Sequence, residues 1–248
     1  MRYFPCLICL LLGNLPVCAA GSAAFEEANR EFQGGRYATA AADYEKLLAA
    51  EGPRAAVYYN LGNCYQRLGQ YGPAILAYER ARLLTPRDPD LAANLALARK
   101  AAAAFEDGGG HLYLAAAANY LSRNEWSWLA AGGALLLGGL AAVCGIAGLP
   151  RRGLRQAAIT AVALAVMAML AGSAALYHRR DERNHGIVLT DKAEVRLSPF
   201  DKAEVLGTPG VGRMVHLRDR SGRYCYIEVP GTELHGWIAD GDAASIER

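Results

Sequence analysis

The first hundred residues contain a pattern that repeats after 34 positions. The recurring residues are aromatic, small or amide side chains: Asn29, Gly35, Tyr37, Ala40 and Tyr44 return as Asn63, Gly69, Tyr71, Ala74 and Tyr78. A period of this length is typical of helix pairs that stack side by side. Because stacked pairs present an extended concave surface, we expect this region to bind other proteins.

The second copy of the pattern resembles a tetratricopeptide repeat. Its aromatic, small and helix-ending residues lie where this repeat family places them: Tyr58, Leu61, Gly62, Tyr65, Gly69, Tyr71, Ala74, Tyr78, Ala81 and Pro86. The resemblance implies two helices that cross closely at Gly62 and Ala74. Gly69 is expected to end the first helix of the pair, and Pro86 the second. We predict a tetratricopeptide domain over residues 23–104.

A third helix is expected to follow, with Asp88 as its N-cap and Pro89 in its first turn. Asn94 keeps the 34-residue spacing from Asn60, but the pattern is lost at Arg99. The sequence therefore predicts two repeats and a capping helix, with no second helix in the third repeat. Because about three repeats are normally needed for a stable array, we expect the membrane segment or a partner to complete the core.

In tetratricopeptide domains the first helix of each pair lines a concave groove. The residues that this resemblance places in a protein-binding groove are Phe25, Asn29, Tyr59, Asn63, Gln66, Arg67 and Asn94. Core packing is the alternative role for Phe25 and Tyr59. A clamp for a peptide carboxylate is disfavoured, although Asn29 and Asn60 match its asparagine positions. Its cation positions hold uncharged or acidic residues, namely Phe25, Asp90 and Asn94.

Three apolar runs lie outside the repeats. The first, within residues 1–20, follows one cation and ends in small residues. This arrangement is typical of a secretory signal peptide, here with cleavage expected after Ala20. Two alternatives stay open: acylation at Cys18, for which Val17 is a poor neighbour, and an uncleaved anchor helix.

The other apolar runs, residues 126–149 and 156–177, each have about the 20 residues that cross a bilayer, so we predict a transmembrane hairpin. The loop 150–155 between them holds three arginines, which favours the cytoplasmic side. The repeats and the C-terminal region are then outside the bacterial cytoplasmic (inner) membrane, although arginines near residue 180 oppose this orientation. Residues 105–125 are predicted to form a linker and a helix on the membrane surface.

From residue 186 to residue 248, short apolar-polar alternations are separated by Gly and Pro, which predicts β-strands in a small closed barrel. The order of its features resembles a bacterial SH3-like domain: Ala193, Val195, Arg196, Pro199, Gly212, Tyr226, Val229, Gly231, Gly236 and Trp237. Three aromatic residues form a candidate ligand patch, with barrel packing as the alternative: Tyr224, Tyr226 and Trp237. The predicted fold is thus multidomain, with an all-α tetratricopeptide solenoid, a two-helix transmembrane hairpin and an all-β SH3-like barrel.

The sequence contains no nucleophile elbow, phosphate loop, dinucleotide fingerprint or paired metal-ligand motif. We therefore expect no enzyme activity, no cofactor and no metal. A formal net charge of +2 without a basic stripe argues against nucleic acid as a partner. A cluster of His216, His235 and Asp219 stays open, as does a redox role for Cys64 or Cys225.

The order of signal peptide, repeats, membrane hairpin and SH3-like domain resembles the BatE-like tetratricopeptide proteins of the Bat aerotolerance family. Residues 25–86 carry most of this likeness, and the pair Gly236 and Trp237 with the preceding barrel pattern carries the rest. The resemblance implies an envelope complex with von Willebrand A-type Bat proteins and other membrane Bat components, linked to a MoxR-type ATPase and to stress or oxygen tolerance.

We therefore expect a scaffold anchored in the inner membrane, whose two extracytoplasmic modules bind partner proteins. The alternative is a cell-wall sensor in which the SH3-like domain binds peptidoglycan.

Overall fold

The computed structural model describes residues 18–104, 120–147, 152–178 and 184–247 of the 248-residue chain. Most of the predicted signal peptide lies outside these residues, as do residues 105–119 of the predicted surface helix and 148–151 around the predicted loop. The described part contains seven helices and seven strands. They form a helical repeat domain (residues 18–104), a pair of long helices, and a C-terminal antiparallel sheet (residues 184–247).

The repeat domain consists of five helices: α1 (Cys18–Gln33), α2 (Tyr37–Glu51), α3 (Ala55–Arg67), α4 (Tyr71–Leu84) and α5 (Pro89–Ala101). The turns after α1 and α3 contain glycines in the left-handed region, with φ of 75° at Gly35 and 72° at Gly69. This conformation suits glycine because it has no Cβ. Asp88 caps α5 as predicted, since its carboxylate accepts the backbone N–H groups of Asp90 and Leu91 at 3.0 and 3.1 Å.

Small residues let the paired helices approach each other. A Cβ atom at Gly62 would lie 2.5 Å from the ring of Tyr78, so α3 accepts that ring only because the glycine leaves room. In the first pair, Ala28 and Tyr44 are both fully buried. The close crossing expected at Gly62 is therefore present.

A buried carboxylate joins α4 to α5. Glu79 is fully buried, and its side chain pairs with Arg82 at 2.7 Å and with Arg99 of α5. A buried charge is costly unless it is paired and hydrogen-bonded, and the two arginine guanidiniums supply that pairing for Glu79. This cluster fixes the position of α5 against the second repeat.

The two long helices are α6 (Arg123–Ala147) and α7 (Arg152–His178). They pack antiparallel: a Cβ at Gly133 would lie 2.7 Å from Ala165 O, and one at Gly172 would lie 2.9 Å from Ala130 Cβ. Among the described residues one stretch, Ala158–Tyr177 of α7, is long and apolar enough to cross a membrane. The predicted second span, and with it the transmembrane hairpin, is not confirmed.

Seven strands form one antiparallel sheet in the order β3-β2-β6-β5-β4-β1-β7. Their bounds are β1 (His185–Val188), β2 (Val195–Arg196), β3 (Val205–Gly207), β4 (Met214–Ser221), β5 (Tyr224–Glu228), β6 (His235–Ala239) and β7 (Ala243–Ser245). The alternation in the sequence predicts the first six; β7 is too short and too alanine-rich to be predicted and is held by pairing with β1. Because the order has two ends, a closed SH3-like barrel is not confirmed.

The sheet has its own core of small and branched side chains: Val188, Ala193, Val195, Val215, Cys225, Ile227, Val229, Ile238 and Ala243. The sheet also packs against the repeat domain. Ile75 of α4 belongs to one buried cluster with Ile187 and Ile246. Arg80 of α4 also donates to the carbonyl oxygen of Ser245 at 2.8 Å.

Two glycines make this contact possible. A Cβ at Gly212 of the sheet would lie 2.5 Å from Ile75 Cδ1, and one at Gly72 of α4 would lie 2.7 Å from Val188 O. The core of the short helical array is thus extended by the chain's own C-terminal sheet. Completion of the core by the membrane segment or by a partner stays a prediction beside this intramolecular contact.

Gly72→Ala tests the contact between α4 and the sheet. Alanine favours helix over glycine, so without the contact the substitution would stabilise α4. With the contact, the new methyl group overlaps the β1 backbone, and we expect the free energy of unfolding to fall by about 1–3 kcal/mol. Denaturant unfolding of the full chain in detergent measures this. Gly241→Ala is the control, because nothing lies within 4 Å of a Cβ there; equal stability of both variants would contradict the contact.

Candidate protein-binding groove

Three side chains from three helices meet at the first repeat. The Tyr44 hydroxyl of α2 donates to Asn29 Oδ1 of α1 at 2.5 Å. The Asn60 amide of α3 donates to the same oxygen at 3.0 Å. The side-chain amide oxygen of Asn29 therefore accepts hydrogen bonds from two donors of the same chain.

The same arrangement returns one repeat later. The Tyr78 hydroxyl of α4 donates to Asn63 Oδ1 of α3 at 2.7 Å, and the Asn94 amide of α5 donates to that oxygen at 3.2 Å. We call Asn29, Asn60, Asn63 and Asn94 the asparagine row. It connects α1, α3 and α5, the first helices of the successive repeats.

The two tyrosines that bond to the asparagine row act as hydrogen-bond donors. Tyr44 and Tyr78 are both fully buried. Burial raises the pKa of Tyr44 to about 12, and it also raises the pKa of Tyr78 above its ordinary value. Both hydroxyls therefore stay protonated at neutral pH and keep donating to the asparagines.

The other predicted groove residues differ in how available they are. Gln66 Oε1 lies 2.8 Å from the Tyr78 hydroxyl and shares its single proton with Asn63, and the Tyr59 hydroxyl accepts from Asn94 at 2.8 Å. The half-buried Phe25 ring lies 6.0 Å from the Tyr44 ring. Arg67 is exposed, with its guanidinium carbon 6.0 Å above the Tyr37 ring. Of the predicted set, Arg67 therefore presents its polar head most openly to a partner.

Asn29, Asn63 and Asn94 thus hold the first helices of successive repeats together through their side-chain amides. Sequence reasoning did not find this framework. The signal was available, because Asn60 follows Asn29, and Asn94 follows Asn63, at the same spacing of 31 residues. Whether these residues bind a partner stays a prediction.

The three residues of the predicted aromatic patch differ in how far they are buried. Tyr226 and Trp237 face each other on β5 and β6, with ring centroids 5.3 Å apart and an edge-on geometry. Tyr224 is buried, and its hydroxyl donates to Asp201 at 2.5 Å, which lowers the pKa of that carboxyl. Tyr226 and Trp237 are therefore the two that remain half-exposed.

Beside this pair lies an open cavity of about 480 Å³. Its polar lining comes mainly from three strands and the turn after β5: His216, Tyr226, Glu228, Thr232 and His235. Glu228 of β5 pairs with His216 on the neighbouring strand β4 and with His235 on the neighbouring strand β6. Two members of the cluster that the sequence left open, His216 and His235, are therefore near each other. Asp219, the third member, does not line this cavity. No group of His, Cys, Asp or Glu in the described ranges is placed to hold a metal ion.

The two cysteines considered for redox work are both buried. Burial raises the pKa of the Cys64 thiol to about 12 and raises that of Cys225 as well. Since the thiolate is the reactive form, this environment disfavours thiol chemistry at both positions.

Comparison with known families supports the repeat domain. Residues 55–88, which contain α3 and α4, match the family model of the tetratricopeptide repeat. No curated protein matches the chain. The helical fold and this match together identify tetratricopeptide-like repeats, which generally mediate binding between proteins.

Tyr78→Phe tests the second unit of the asparagine row. The substitution removes one hydroxyl that bonds both Asn63 and Gln66, so we expect the repeat domain to lose about 1 kcal/mol of stability. Thermal unfolding of the full chain, followed by circular dichroism, measures the loss. Tyr37→Phe is the matched control, because the Tyr37 ring packs on Phe32 while its hydroxyl bonds to none of the described residues. A silent Tyr78→Phe would argue against the row.

Proposed function

We propose that the protein is a non-enzymatic scaffold, anchored in the bacterial inner membrane, whose extracytoplasmic repeat domain and C-terminal sheet hold partner proteins. The observation that carries this proposal is the buried contact between α4 and the sheet, together with the tetratricopeptide match.

The contact between α4 and the sheet constrains the membrane topology. The repeat domain precedes α6 and the sheet follows α7, yet Ile75 and Ile187 share one core. Two modules that touch lie on the same side of a bilayer, so the chain between them crosses it an even number of times. If α7 is one span, this even number supports α6 as the return span. Its small-residue contacts with α7 are typical of helices packed within membranes.

The orientation rests on the sequence. A signal peptide at the N-terminus exports the segment behind it, and the arginines at residues 150–155 favour the cytoplasmic side for the loop. Both modules are then outside the cytoplasmic membrane. The likeness to BatE-like proteins suggests von Willebrand A-type Bat proteins and other membrane Bat components as partners, in a stress or aerotolerance complex.

Cysteine labelling in intact cells tests this topology. Lys46→Cys in the repeat domain and Lys202→Cys in the sheet should both react with a membrane-impermeant maleimide. Arg152→Cys, at the start of α7, should react only after the inner membrane is permeabilised. The unsubstituted protein gives the background. Opposite labelling of positions 46 and 202 would contradict the two crossings, and labelling of position 152 alone would reverse the orientation.

Charge reversal at Arg67 tests the groove. Arg67 is exposed on α3 and belongs to no part of the asparagine row, so Arg67→Glu should leave folding intact. We expect it to weaken co-purification with the von Willebrand A-type partner at least tenfold, since interface arginines often dominate affinity. Lys46→Glu on α2 is the control outside the groove. Equal capture by both variants would mean that partners bind elsewhere.

A second candidate function is peptidoglycan sensing by the sheet, which would then be an SH3-like domain. The half-exposed pair Tyr226 and Trp237 beside the open cavity favours it, because aromatic rings with nearby polar groups suit cell-wall ligands. Failure of the intact protein to sediment with purified cell wall would remove this candidate while leaving the scaffold untouched.

A further inference from the structure

Most positive charges of the repeat domain are neutralised by the chain itself. Seven of its ten Lys and Arg side chains form an ion pair with a carboxylate of the described residues. Four of these pairs use a carboxylate three residues before the cation, at Glu27, Asp43, Glu51 and Glu79. An acidic residue at that spacing is therefore the common way in which this domain compensates a cation.

Arg67 and Lys100 lack this compensation. The residue three positions earlier is Cys64 before Arg67 and Leu97 before Lys100. Both cations are exposed, and within the described ranges neither side chain forms an ion pair. The tenth cation, Arg80, is bonded to the sheet. Arg67 and Lys100 are thus the exposed, uncompensated positive charges of the described repeat domain.

The two charges lie at the same end of neighbouring helices. Arg67 is the last residue of α3, and Lys100 is the last but one of α5. In the 34-residue period Lys100 corresponds to Gln66, the predicted groove residue next to Arg67. α3 and α5 are in direct contact through the hydrogen bond from Asn94 to Asn63, so their axes are about 8–10 Å apart. Two uncompensated cations therefore lie side by side at one end of the predicted groove.

Helix dipoles explain part of this arrangement. A cation in the last turn of a helix is favoured by the partial negative charge there, which is about half an elementary charge. Arg30 of α1 and Arg82 of α4 also lie in a last turn, yet each of them has a carboxylate partner as well. The dipole therefore does not account for the missing carboxylates at Arg67 and Lys100. Much of each charge is left to be balanced by a group from outside the domain.

The surroundings of both charges suit a peptide ligand. The guanidinium carbon of Arg67 lies 6.0 Å from the centroid of the Tyr37 ring, so the ring supports one face of the guanidinium. The N–H donors lie in the guanidinium plane, where they can bind a carboxylate with two hydrogen bonds. Leu97 lies one helical turn before Lys100 on the same face of α5 and is 54% exposed. In the 34-residue period it replaces Asn63, so an apolar side chain lies beside the second cation.

We propose that Arg67 and Lys100 bind an acidic, extended segment of a partner protein, in which carboxylates on alternate residues pair with the two cations and a neighbouring apolar side chain packs on Leu97. Alternate side chains of an extended segment point the same way at a spacing of about 7 Å, and the flexible stems of Lys and Arg cover the remaining distance. A concave surface fits such a segment better than it fits the flat surface of a bilayer.

This inference rests on the proposed function, since it gives the chemistry of the partner that the groove holds. It differs from a clamp for a terminal carboxylate, because side-chain carboxylates are bound and none of the clamp positions is used. It also adds Lys100 and Leu97 to the residues that determine which partner is accepted.

Peptide selection on the full chain tests the proposal. The protein in nanodiscs of phosphatidylcholine is panned against a display library of random peptides, and we expect the enriched peptides to carry Asp or Glu at alternate positions. The double variant Arg67→Glu with Lys100→Glu should enrich Lys or Arg there instead, because the charge that the ligand must complement is reversed. Arg30→Gln is the matched control. Arg30 is exposed in the last turn of α1 but already pairs with Glu27, so its loss should leave the enriched peptides unchanged.

Affinities of an enriched acidic peptide give a second measurement. Arg67→Gln and Lys100→Gln should each weaken its binding about threefold, measured by fluorescence anisotropy, since exposed ion pairs contribute modestly. Added salt should weaken binding to the unsubstituted protein and have less effect on either variant, because exposed charges are screened. Circular dichroism shows whether each variant keeps its helices.

The possible results separate this inference from the scaffold itself. Enriched peptides without acidic residues, or a set that the double reversal leaves unchanged, would overturn the acidic segment while leaving a protein-binding groove in place. No enrichment above empty nanodiscs would also overturn it, and the scaffold is then judged by co-purification of partners. Capture of phosphatidylglycerol vesicles that the double variant abolishes would assign the two cations to a lipid surface and would equally overturn the proposal.

Discussion

The contact between α4 and the C-terminal sheet governs the arrangement of the whole chain. Ile75 enters the space left by Gly212, and Gly72 lets the β1 backbone lie directly on the helix. Because these two glycines have no side chains, atoms of elements that are more than a hundred residues apart in the sequence come into van der Waals contact. The apolar surface of a short helical array is thereby removed from water, which is the main source of stability for a domain of this size. The repeat domain precedes α6 and the sheet follows α7. The same contact therefore requires the N-terminal end of α6 and the C-terminal end of α7 to lie on the same side of the helix pair.

A second constraint acts inside the repeat domain. Each unit of the asparagine row uses one carbonyl oxygen to receive a buried tyrosine hydroxyl from the paired helix and an amide from the next repeat. The row therefore sets both the angle within a pair and the spacing between pairs. If the proposed groove binds a partner, its framing helices are already held in place by these hydrogen bonds, which would lower the entropic cost of binding. Arg67, by contrast, is exposed and takes no part in the row.

The sequence predicts those features that depend on local spacing. The period reveals the helix pairs, Asp88 and Pro89 reveal the start of α5, and alternation reveals six strands. Features that depend on distant neighbours escape prediction. Nothing around Gly72 or Gly212 indicates that Gly72 meets the β1 backbone and Gly212 meets Ile75, and β7 has no strand signal apart from its partner β1. Asn29 and Asn63 are predicted as groove residues, but their hydrogen bonds depend on how α1, α3 and α5 are stacked. The identity of the partner depends on the partner's own surface, so this sequence alone does not reveal it.

The shared core also bears on the relation between the two candidate functions. Modules joined by a flexible linker bind their ligands independently, whereas modules that share buried side chains move together. Here Leu91 and Leu95 of α5, Ile75 of α4 and Ile187 of β1 belong to one cluster. If both proposed functions hold, a protein partner on the repeats and a cell-wall ligand beside Tyr226 would bind one body, and a shift of α4 caused by one ligand would act on the site of the other. Such coupling is limited by the difference in each ligand's affinity for the two positions of α4. The shared core therefore makes α4 the element through which the two proposed functions would be coupled.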